Sequence, residues 1–318
     1  MTVSQAVILC GGRGERLRPL TDEMPKPMVS VNGRPFLQYL LEQLAENGIN
    51  RFVLLTGYLG EKIVEYFGDG SSWGWSISYS NGPVEWSTTK RIHEALDQID
   101  EQFLLLYSDN FTQLRLSELA RVKNDRNSAI TLSVVRKFPG NIQLDANSSV
   151  AKYDSSRSES SADFVEIGYS LISKSKIIAC LDEHIHENFS SVIQSLTEDQ
   201  QVSAVQVKTG YMSISDPLRL SRTEAFLKQH KILLLDRDGT LNVKPQRGEY
   251  VNSIDEFNWI ESSRDALGVL SERGFSFIII SNQAGVATGV TKFEELNKIN
   301  EYIRAEFLNL GLRLLEIY

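Results

Sequence analysis

Short apolar runs alternate with amphipathic segments along most of the chain. Ala6 to Cys10, Phe52 to Thr56 and Phe103 to Tyr107 are apolar runs with the length of buried parallel strands, and the first of them ends in glycines. Pro35 to Asn47 instead has apolar residues at helical spacing and stops at Gly48, a residue type that commonly ends helices. This alternation predicts a layered α/β fold with a mostly parallel sheet.

The same two patterns predict the remaining elements of this region. Further strands are expected at Ile77 to Tyr79, Ala129 to Val135, Phe164 to Ile172 and, at a sheet edge, Ala204 to Lys208. Further helices are expected at Glu61 to Phe67, Thr88 to Ile99, Leu116 to Lys123 and Ser190 to Leu196. Seven serines within Ser148 to Ser161 predict a mobile polar loop. We therefore expect a Rossmann-like domain with a mostly parallel mixed sheet and helices on both faces.

A second α/β series begins near residue 229. Ser215 to Gln229 has a helical pattern and leads into a new apolar run, Ile232 to Leu235. Beyond it, the pattern predicts a strand between two helices, at Asp265 to Arg273, Phe275 to Ser281 and Phe293 to Leu310. We expect one domain over residues 1–228 and part of a second α/β domain over residues 229–318.

Composition narrows the class of protein. The 318 residues are 42% hydrophobic and 23% charged, which is typical of a soluble globular protein. A net charge of -8 argues against binding to nucleic acid but permits small anionic substrates, since local cations can act inside an acidic protein. Two cysteines form no disulfide framework, and no apolar run could span a bilayer. We expect a cytoplasmic protein without membrane contact, and a homo-oligomer is compatible with this sequence.

The turn after the first strand combines glycines with cations. The glycines are Gly11, Gly12 and Gly14, and the cations are Arg13, Arg16 and Lys26. Glycines let backbone N–H groups converge on an anion, and the cations can neutralise a triphosphate under attack. A simple tight turn would not need the cations, and a dinucleotide fingerprint would need a glycine where Leu17 stands. The pattern predicts a phosphate-binding loop.

Asp109 is the next candidate, because it directly follows the apolar run Phe103 to Tyr107. In an open parallel sheet this position lies at the carboxyl edge, where ligands bind. A carboxylate there suits Mg²⁺ that bridges phosphate oxygens. The alternative is an aspartate that caps the turn together with Asn110.

These motifs resemble the sugar-1-phosphate nucleotidylyltransferase family. The resemblance is carried by Gly11 to Thr21, Pro25-Lys26-Pro27 and Asn32 to Leu37, and it covers residues 1 to about 228. It implies a nucleoside triphosphate and a sugar phosphate as substrates, with pyrophosphate as a product. It also implies that Gly11, Gly12 and Arg16 hold the triphosphate while Lys26 draws the two phosphates together. Arg13 and Gly14 belong to the same expected nucleotide site, and Mg²⁺ is the expected cofactor.

Three segments depart from the family pattern. Ser87 to Arg91 stands where a glycine-rich loop is usual, and its cations Lys90 and Arg91 are either surface residues or, at this helix start, phosphate contacts. We expect Thr88 and Lys90 to contact the nucleotide. Ser213 stands where a second carboxylate usually binds metal, while Asp216 is expected to cap the following helix. No Glu-Lys pair is evident in Lys152 to Arg157, which leaves Glu166 and Gly168 as the expected sugar contacts. The departures predict a divergent subfamily; the alternative is a module that binds nucleotide sugars without turnover.

A second chemical motif, Asp236-Arg237-Asp238-Gly239-Thr240-Leu241, directly follows the apolar run Ile232 to Leu235. Two carboxylates at this spacing can share one site, in which one attacks phosphorus and the other serves as acid and base. Together with Ser281 to Gly289 the motif resembles the haloacid-dehalogenase-like phosphatases, in the heptose-bisphosphate and histidinol-phosphate branch. This resemblance implies that Asp236 is the nucleophile and Asp238 the acid and base. It also implies that both bind Mg²⁺ and that Ser281 and Asn282 bind phosphate or substrate.

The second resemblance is partial, because the family's later lysine and metal-binding aspartate do not occur before Tyr318. We therefore expect little or no phosphatase activity. The pairing of the two resemblances indicates a heptose pathway, with D-glycero-D-manno-heptose 1-phosphate guanylyltransferase as the specific expectation. The alternatives are a cytidylyl- or uridylyltransferase for another sugar or polyol phosphate, and the binding module without turnover.

Overall fold

The computed structural model describes residues 3–112, 114–145, 147–156, 162–207, 210–228, 231–246, 248–273 and 275–318. These fall into two compact units, Met1–Leu227 and Lys228–Tyr318. Among the helices in these ranges, none combines the length and the apolarity that a membrane crossing would need.

The first unit is built on a nine-stranded mixed sheet in the order β10-β9-β11-β6-β1-β4-β5, with β8 pairing both β11 and β12. The strands of the unit are β1 Gln5–Leu9, β2 Ser30–Val31, β3 Arg34–Pro35, β4 Arg51–Thr56, β5 Ser76–Asn81, β6 Gln102–Tyr107, β7 Asn110–Phe111, β8 Ile130–Gly140, β9 Ile142–Leu144, β10 Val150–Tyr153, β11 Ala162–Ser173, β12 Val202–Gln206 and β13 Met212–Ser213. Strands β6, β1, β4 and β5 are parallel neighbours. Strand β11 reverses the direction, because it is antiparallel to β6, β8 and β9. Strands β2 and β3 form a small separate pair, as do β7 and β13.

Helices cover both faces of this sheet. They are α1 Phe36–Glu46, α2 Gly60–Phe67, α3 Thr88–His93, α4 Leu116–Arg126, α5 Lys174–Glu183, α6 Phe189–Glu198 and α7 Pro217–Leu227. Side chains of β1 alternate between two apolar clusters: Ala6 and Ile8 join the cluster that contains α1, whereas Val7 and Leu9 join the one that contains α5 and α6. This alternation is the two-residue period of a strand that is buried on both faces. The predicted Rossmann-like mixed α/β fold of this unit is confirmed.

Several predicted elements differ from the structure. The helix expected from Thr88 to Ile99 ends at His93, and a short 3₁₀ turn, Leu96–Gln98, follows. The stretch expected to be a mobile polar loop contains strand β10, in which Val150 and Tyr153 are buried and pair with β9. Its residues 157–161 lie outside the described part of the chain. Helix α5 was not predicted; its apolar residues form one short continuous run, Ile177 to Leu181, rather than a helical spacing.

The second unit is a three-stranded parallel sheet in the order β14-β15-β16. Its strands are β14 Lys231–Asp236, β15 Phe275–Ile280 and β16 Leu314–Ile317, and its helices are α8 Glu261–Glu272, α9 Ala284–Ala287 and α10 Phe293–Asn309. Leu235, Phe277 and Ile279 from the sheet pack with Ile303 and Phe307 of α10 in a separate apolar core. The unit therefore has α/β architecture and a core of its own.

Candidate functional site

The glycine turn leaves the carboxyl end of β1 and bends sharply at Gly14. Gly14 has φ +66°, and an added Cβ there would lie 2.8 Å from the Cβ of Lys26. The hydroxyl of Thr21 donates to the Gly14 carbonyl at 3.0 Å and holds the bend. At Gly12, by contrast, an added Cβ would meet no atom within 4 Å. Gly14 is thus fixed by the fold, whereas Gly12 faces open space.

The turn forms one wall of a cleft of about 490 Å³ at the carboxyl edge of the sheet. The lining residues are Leu9, Cys10, Gly11, Gly12, Arg13, Gly14, Glu15, Arg16, Lys26, Pro27, Val84, Trp86, Thr88, Arg91, Tyr107, Ser108, Asp109, Asn188 and Ser215. This edge is where open α/β sheets bind their ligands. The volume is in the usual range of small-molecule sites.

Lys26 and Asp109 both line the cleft and contact each other. The Lys26 Nζ atom lies 2.5 Å from Asp109 Oδ2, and both side chains are largely buried. The Ser215 hydroxyl donates to the same carboxylate oxygen at 3.3 Å. The structure thus brings together two residues that sequence reasoning selected separately, one from the segment after the turn and one from the end of β6.

The two arginines of the turn lie differently. Arg16 is exposed and lines both this cleft and the adjoining cavity described below. Arg13 lines only the first cleft; its Nη2 atom lies 3.6 Å from Glu85 Oε1, and its guanidinium sits 5.8 Å from the centre of the Tyr58 ring. Both cations are therefore available to an anion in the cleft, and Arg16 alone of the two faces both cavities.

The start of α3 contributes Thr88 and Arg91 rather than Lys90. Thr88 lines both cavities, and its hydroxyl accepts the backbone N–H of Phe189 at 2.7 Å. Lys90 is absent from the described cleft lining; its ammonium stacks over the Trp86 ring at 5.1 Å. Arg91, whose role the sequence left open between a surface cation and a phosphate contact, is buried in the cleft wall.

A second cavity of about 430 Å³ shares one wall with the first. The residues common to both are Arg16, Thr88, Tyr107, Asp109, Asn188 and Ser215. Glu166 and Gly168 line the second cavity, as expected for acceptor contacts, and Glu166 Oε1 accepts the Tyr153 hydroxyl at 2.9 Å. Gly168 has φ +74° at an irregularity of β11, and an added Cβ would lie 2.9 Å from Asn110 Nδ2.

Sequence reasoning missed most of the second cavity. Its remaining polar lining residues are Asn110, Lys137, Asn141, Tyr153, Ser155, Ser190, Tyr211 and Arg219. Asn141 is 2% exposed, and its Oδ1 atom is a buried acceptor without a hydrogen bond among the described residues. No local motif marks these positions. The antiparallel pairing of β8, β9, β10 and β11 brings Lys137, Asn141 and Tyr153 to the cavity, and the other residues come from elements distant in sequence.

Burial keeps two other groups of the wall protonated. Burial raises the pKa of the Cys10 thiol to about 12. Burial, with Glu166 and Asp109 nearby, raises the pKa of the Tyr107 hydroxyl far above its ordinary value. Neither group can act as a nucleophile or base near neutral pH, because each would have to ionise first.

Ser213, which occupies the sequence position of the family's second metal-binding carboxylate, does not lie at the expected metal site. Ser213 pairs with Asn110 in the β7–β13 ladder and does not line either cavity among the described residues. Ser215, two residues later, is the hydroxyl that contacts Asp109. Asp216 Oδ1 accepts the backbone N–H of Arg219, so the predicted cap of α7 is confirmed.

Comparison with known proteins agrees with this geometry. Residues 5–142 match the family model described as nucleotidyl transferase. A probable glucose-1-phosphate cytidylyltransferase of Bacillus subtilis is 34% identical over 177 residues, which are 49% of this chain and 70% of that protein. The chain belongs to the nucleotidyl transferase family. A D-glycero-alpha-D-manno-heptose 1-phosphate guanylyltransferase of Campylobacter jejuni is 33% identical over 152 residues, 47% of this chain and 67% of that protein.

Solved structures of nucleotidyl transferases share the fold of the first unit. The CTP:phosphocholine cytidylyltransferase of Streptococcus pneumoniae superposes with a TM-score of 0.59 at 20% identity, over 71% of this chain and all of that chain (100%). At this identity the likeness shows the fold alone. The relatives of this nucleotidyl transferase carry cytidylyl and guanylyl names, so the base is not fixed by family membership.

The second unit of this nucleotidyl transferase holds a polar network at the carboxyl ends of β14 and β15. Arg237 is 1% exposed and binds Asp238 with two hydrogen bonds, from Nε at 3.1 Å and from Nη2 at 2.9 Å. Gln283 donates to Ser281 Oγ at 2.5 Å and to Asp238 Oδ2 at 3.4 Å. The structure thus connects Asp238 with Ser281, through a glutamine that sequence reasoning missed.

The other two predicted residues of this motif lie outside that network. Asp236 is exposed at the end of β14, where its Oδ1 atom accepts the backbone N–H of Arg237 at 2.8 Å. Asn282 is also exposed. A cation at Asp238 would compete with the Arg237 guanidinium, so the metal roles of Asp236 and Asp238 stay predictions.

Proposed function

We propose that the first unit transfers a nucleoside monophosphate from a nucleoside triphosphate to a sugar phosphate, with Mg²⁺ as cofactor. The Lys26–Asp109 pair carries this proposal, because Asp109 lines both cavities and contacts Lys26, which lines the first. The glycine turn on one side suits the triphosphate, and the polar cavity on the other suits the acceptor. Both substrates would then meet beside one cation.

In this reaction a phosphate oxygen of the acceptor attacks the α-phosphorus, a new P–O bond forms, and the bond to the β-phosphate breaks. The bonding electrons leave with pyrophosphate. Negative charge accumulates on the non-bridging oxygens, so the chain has to align the reactants and supply positive charge. Lys26 is placed to neutralise the acceptor phosphate and the α-phosphate together. Arg16 faces both cavities and can do the same from the solvent side.

The donor set at Asp109 fits a magnesium ion that arrives with the triphosphate. Mg²⁺ is commonly held by one or two carboxylates together with substrate phosphates and water. Asp109 would supply the carboxylate, and the Ser215 hydroxyl could hold a coordinated water. When bound, the ion would neutralise phosphate charge. Lys26, now on the same carboxylate oxygen, would be freed to bind phosphate.

The second cavity favours an acceptor that is anionic and rich in hydroxyls. Lys137 and Arg219 supply positive charge, while Glu166, Asn141 and Tyr153 supply acceptors and donors for hydroxyl groups. A sugar phosphate has this chemistry. The specific proposal is D-glycero-D-manno-heptose 1-phosphate with GTP, supported by the similar Campylobacter jejuni enzyme and by the phosphatase-like motif of the second unit.

A panel of four ribonucleoside triphosphates against several sugar 1-phosphates, read by pyrophosphate release and by mass spectrometry of the product, tests this function. The expected result is one preferred pair that turns over with Mg²⁺ and stops with EDTA. A different preferred pair, with CTP or UTP, would replace the heptose assignment but keep the reaction. Nucleotide binding without any pyrophosphate would contradict the enzyme and favour the binding module.

A second candidate function belongs to the second unit. We infer that its Asp236–Asp238 turn binds a phosphoryl group, with Asp236 as nucleophile and Asp238 as acid and base. The observation in favour is the bridge through Gln283 between Asp238 and Ser281, at the ends of two adjacent parallel strands. Beryllofluoride mimics a phosphoryl group bonded to aspartate. We expect Mg²⁺-dependent binding of it by ¹⁹F NMR, lost in Asp236→Asn; equal binding by both proteins would refute the assignment.

A further inference from the structure

Arg91 is a buried cation in the wall of the first cleft. It lies in α3, it is 5% exposed, and it stands in the segment that lacks the glycines usual in the family. Buried arginines are rare unless their donors are satisfied. The bonds of Arg91 therefore indicate what it does.

The guanidinium holds the loops that follow two neighbouring strands. Its Nη1 atom donates to the carbonyl of Thr56, the last residue of β4, at 2.7 Å. Its Nη2 atom donates to the carbonyl of Pro83, just after β5, at 2.6 Å. A longer contact of 3.4 Å joins Nη1 to the carbonyl of Gly82. One side chain thus links the carboxyl ends of β4 and β5.

The same guanidinium packs against the turn that follows β1. A Cβ added to Gly11 would lie 2.6 Å from Arg91 Nη1 and 2.7 Å from Nε, closer than real side chains approach. A Cβ at Gly57 would lie 2.7 Å from Nη2 and 2.8 Å from the Gly11 carbonyl oxygen. A side chain at either glycine would therefore displace the guanidinium, and both glycine backbones fit closely around it. Because β1, β4 and β5 are adjacent and parallel, Arg91 fixes three consecutive strand ends.

Arg91 also adds charge where an anion would bind. Its hydrogen bonds within the described part of the chain all go to neutral carbonyls, so no carboxylate there neutralises it by direct contact. A guanidinium keeps its proton even when burial disfavours the charge. A positive charge in a largely buried wall acts on a nearby anion more strongly than one in open water.

We propose that Arg91 is a positioning residue for the nucleotide half of the cleft. It takes the place of a flexible glycine loop by holding the turn at Gly11 and the ends of β4 and β5 in one arrangement. Its positive charge also attracts the triphosphate electrostatically. This inference rests on the proposed nucleotidylyl transfer, but the packing against Gly11 can be tested without any substrate.

The packing is tested by a double-mutant cycle in unfolding. Gly11→Ala should destabilise the protein because the new methyl group meets the guanidinium. In an Arg91→Ala background the same change should cost much less, with a coupling of about tenfold or more in the unfolding equilibrium constant. Additive effects of the two changes would refute the contact. Arg91→Met and Arg91→Lys repeat the comparison if Arg91→Ala does not fold.

The functional part is tested with the four triphosphates. Displacement of a substrate-holding loop by about 1 Å can lower a rate by about 100-fold. Arg91→Met should therefore lower kcat/KM for the preferred triphosphate by about that factor, mainly by raising the KM of the triphosphate. The KM of the sugar phosphate should stay unchanged. Arg91→Lys keeps the charge, but a lysine ammonium cannot bind the separate carbonyls with a fixed fork of donors. Arg91→Lys should therefore not restore kcat/KM for the triphosphate. Full activity in either variant would overturn the proposal.

A matched control separates this result from general loss of an arginine. Arg51 lies at the opposite, amino end of β4 and forms an exposed ion pair with Asp100. Arg51→Met should leave the triphosphate KM unchanged. If the wild-type protein releases no pyrophosphate with any pair, the proposed function fails, while the coupling between Gly11 and Arg91 still decides whether the packing is correct.

Discussion

The Lys26 ammonium lies 2.5 Å from the Asp109 carboxylate, across 83 positions of sequence. Lys26 stands between Pro25 and Pro27 at the start of a short 3₁₀ turn, Lys26–Met28, and Asp109 follows the central strand β6. The pair therefore ties the glycine turn to the rigid centre of the sheet. Because Lys26 is the proposed phosphate contact and Asp109 the proposed magnesium ligand, we expect the ion pair to open when both substrates and a cation are bound.

Lys26→Met should abolish most turnover while the protein stays folded. The change removes the charge that we propose neutralises the transferring phosphate, and loss of one such preorganised group typically costs about 100- to 1000-fold in kcat. Pyrophosphate release with the preferred substrates measures this loss. The matched control is Lys62→Met on the exposed surface of α2, which should retain wild-type kcat. Equal activity of the two variants would remove Lys26 from the mechanism.

Asp109→Asn should change the dependence on divalent cation more than it changes substrate binding. An amide keeps the shape of the carboxylate but loses the charge that attracts Mg²⁺. We expect the Mg²⁺ concentration for half-maximal activity to rise about tenfold or more, the effect of roughly 1.4 kcal/mol of lost binding. A magnesium titration of activity measures it, with Ser215→Ala as the milder comparison. An unchanged midpoint in Asp109→Asn would assign the metal to other ligands.

Gly12→Ala and Gly14→Ala should separate binding from folding within one turn. At Gly14 the backbone is left-handed and a Cβ meets Lys26, so we expect alanine to lower the free energy of unfolding by about 1–3 kcal/mol. At Gly12 the Cβ has open space, so stability should hold while the triphosphate KM rises. Denaturant unfolding and steady-state kinetics distinguish the two. A stable Gly14→Ala protein, or an unstable Gly12→Ala protein, would contradict this division.

The features that sequence reasoning found are those encoded by local neighbours. The glycine turn, Lys26 and Asp109 each stand at a fixed offset from an apolar run, and parallel strands bring such positions to one edge. No such local sequence pattern marks the residues that line the second cavity. Lys137 and Asn141 reach it only because β8 and β9 fold back along β11, a pairing set by tertiary contacts.

Two further differences between the sequence-based predictions and the structure also arise from contacts between residues distant in sequence. Ser215 rather than Ser213 contacts Asp109, because the β7–β13 ladder fixes the register of that segment and places Ser213 within it. Arg91 sits in a charged segment that sequence alone assigns to the surface or to a phosphate, and only the three strand ends around it show a buried role. Register and burial of single side chains depend on partners distant in sequence, so local patterns cannot supply them.

Because of Lys123, the free energy of unfolding should rise as the pH increases through the alkaline range. It is a buried residue of α4 whose ammonium donates to the Ser128 carbonyl at 3.0 Å and to the Ser173 hydroxyl. Burial, with a smaller contribution from nearby Lys176, lowers the pKa of Lys123 to about 8. The unfolded chain keeps this proton up to the ordinary pKa of 10.5. Between about pH 8 and 10.5 the unfolded state thus binds more protons, and the free energy of unfolding should rise with pH.

The comparison that isolates this effect is Lys123→Met against wild type, with Lys62→Met as the exposed control. Tyrosines also ionise in this range, so only the difference between the proteins is informative. We expect wild type to gain about 1–2 kcal/mol relative to Lys123→Met between pH 8 and 10.5, less than the full shift because solvent screens part of the side chain. Urea unfolding at several pH values measures it. Parallel curves for the two proteins would show that Lys123 titrates normally in the native state.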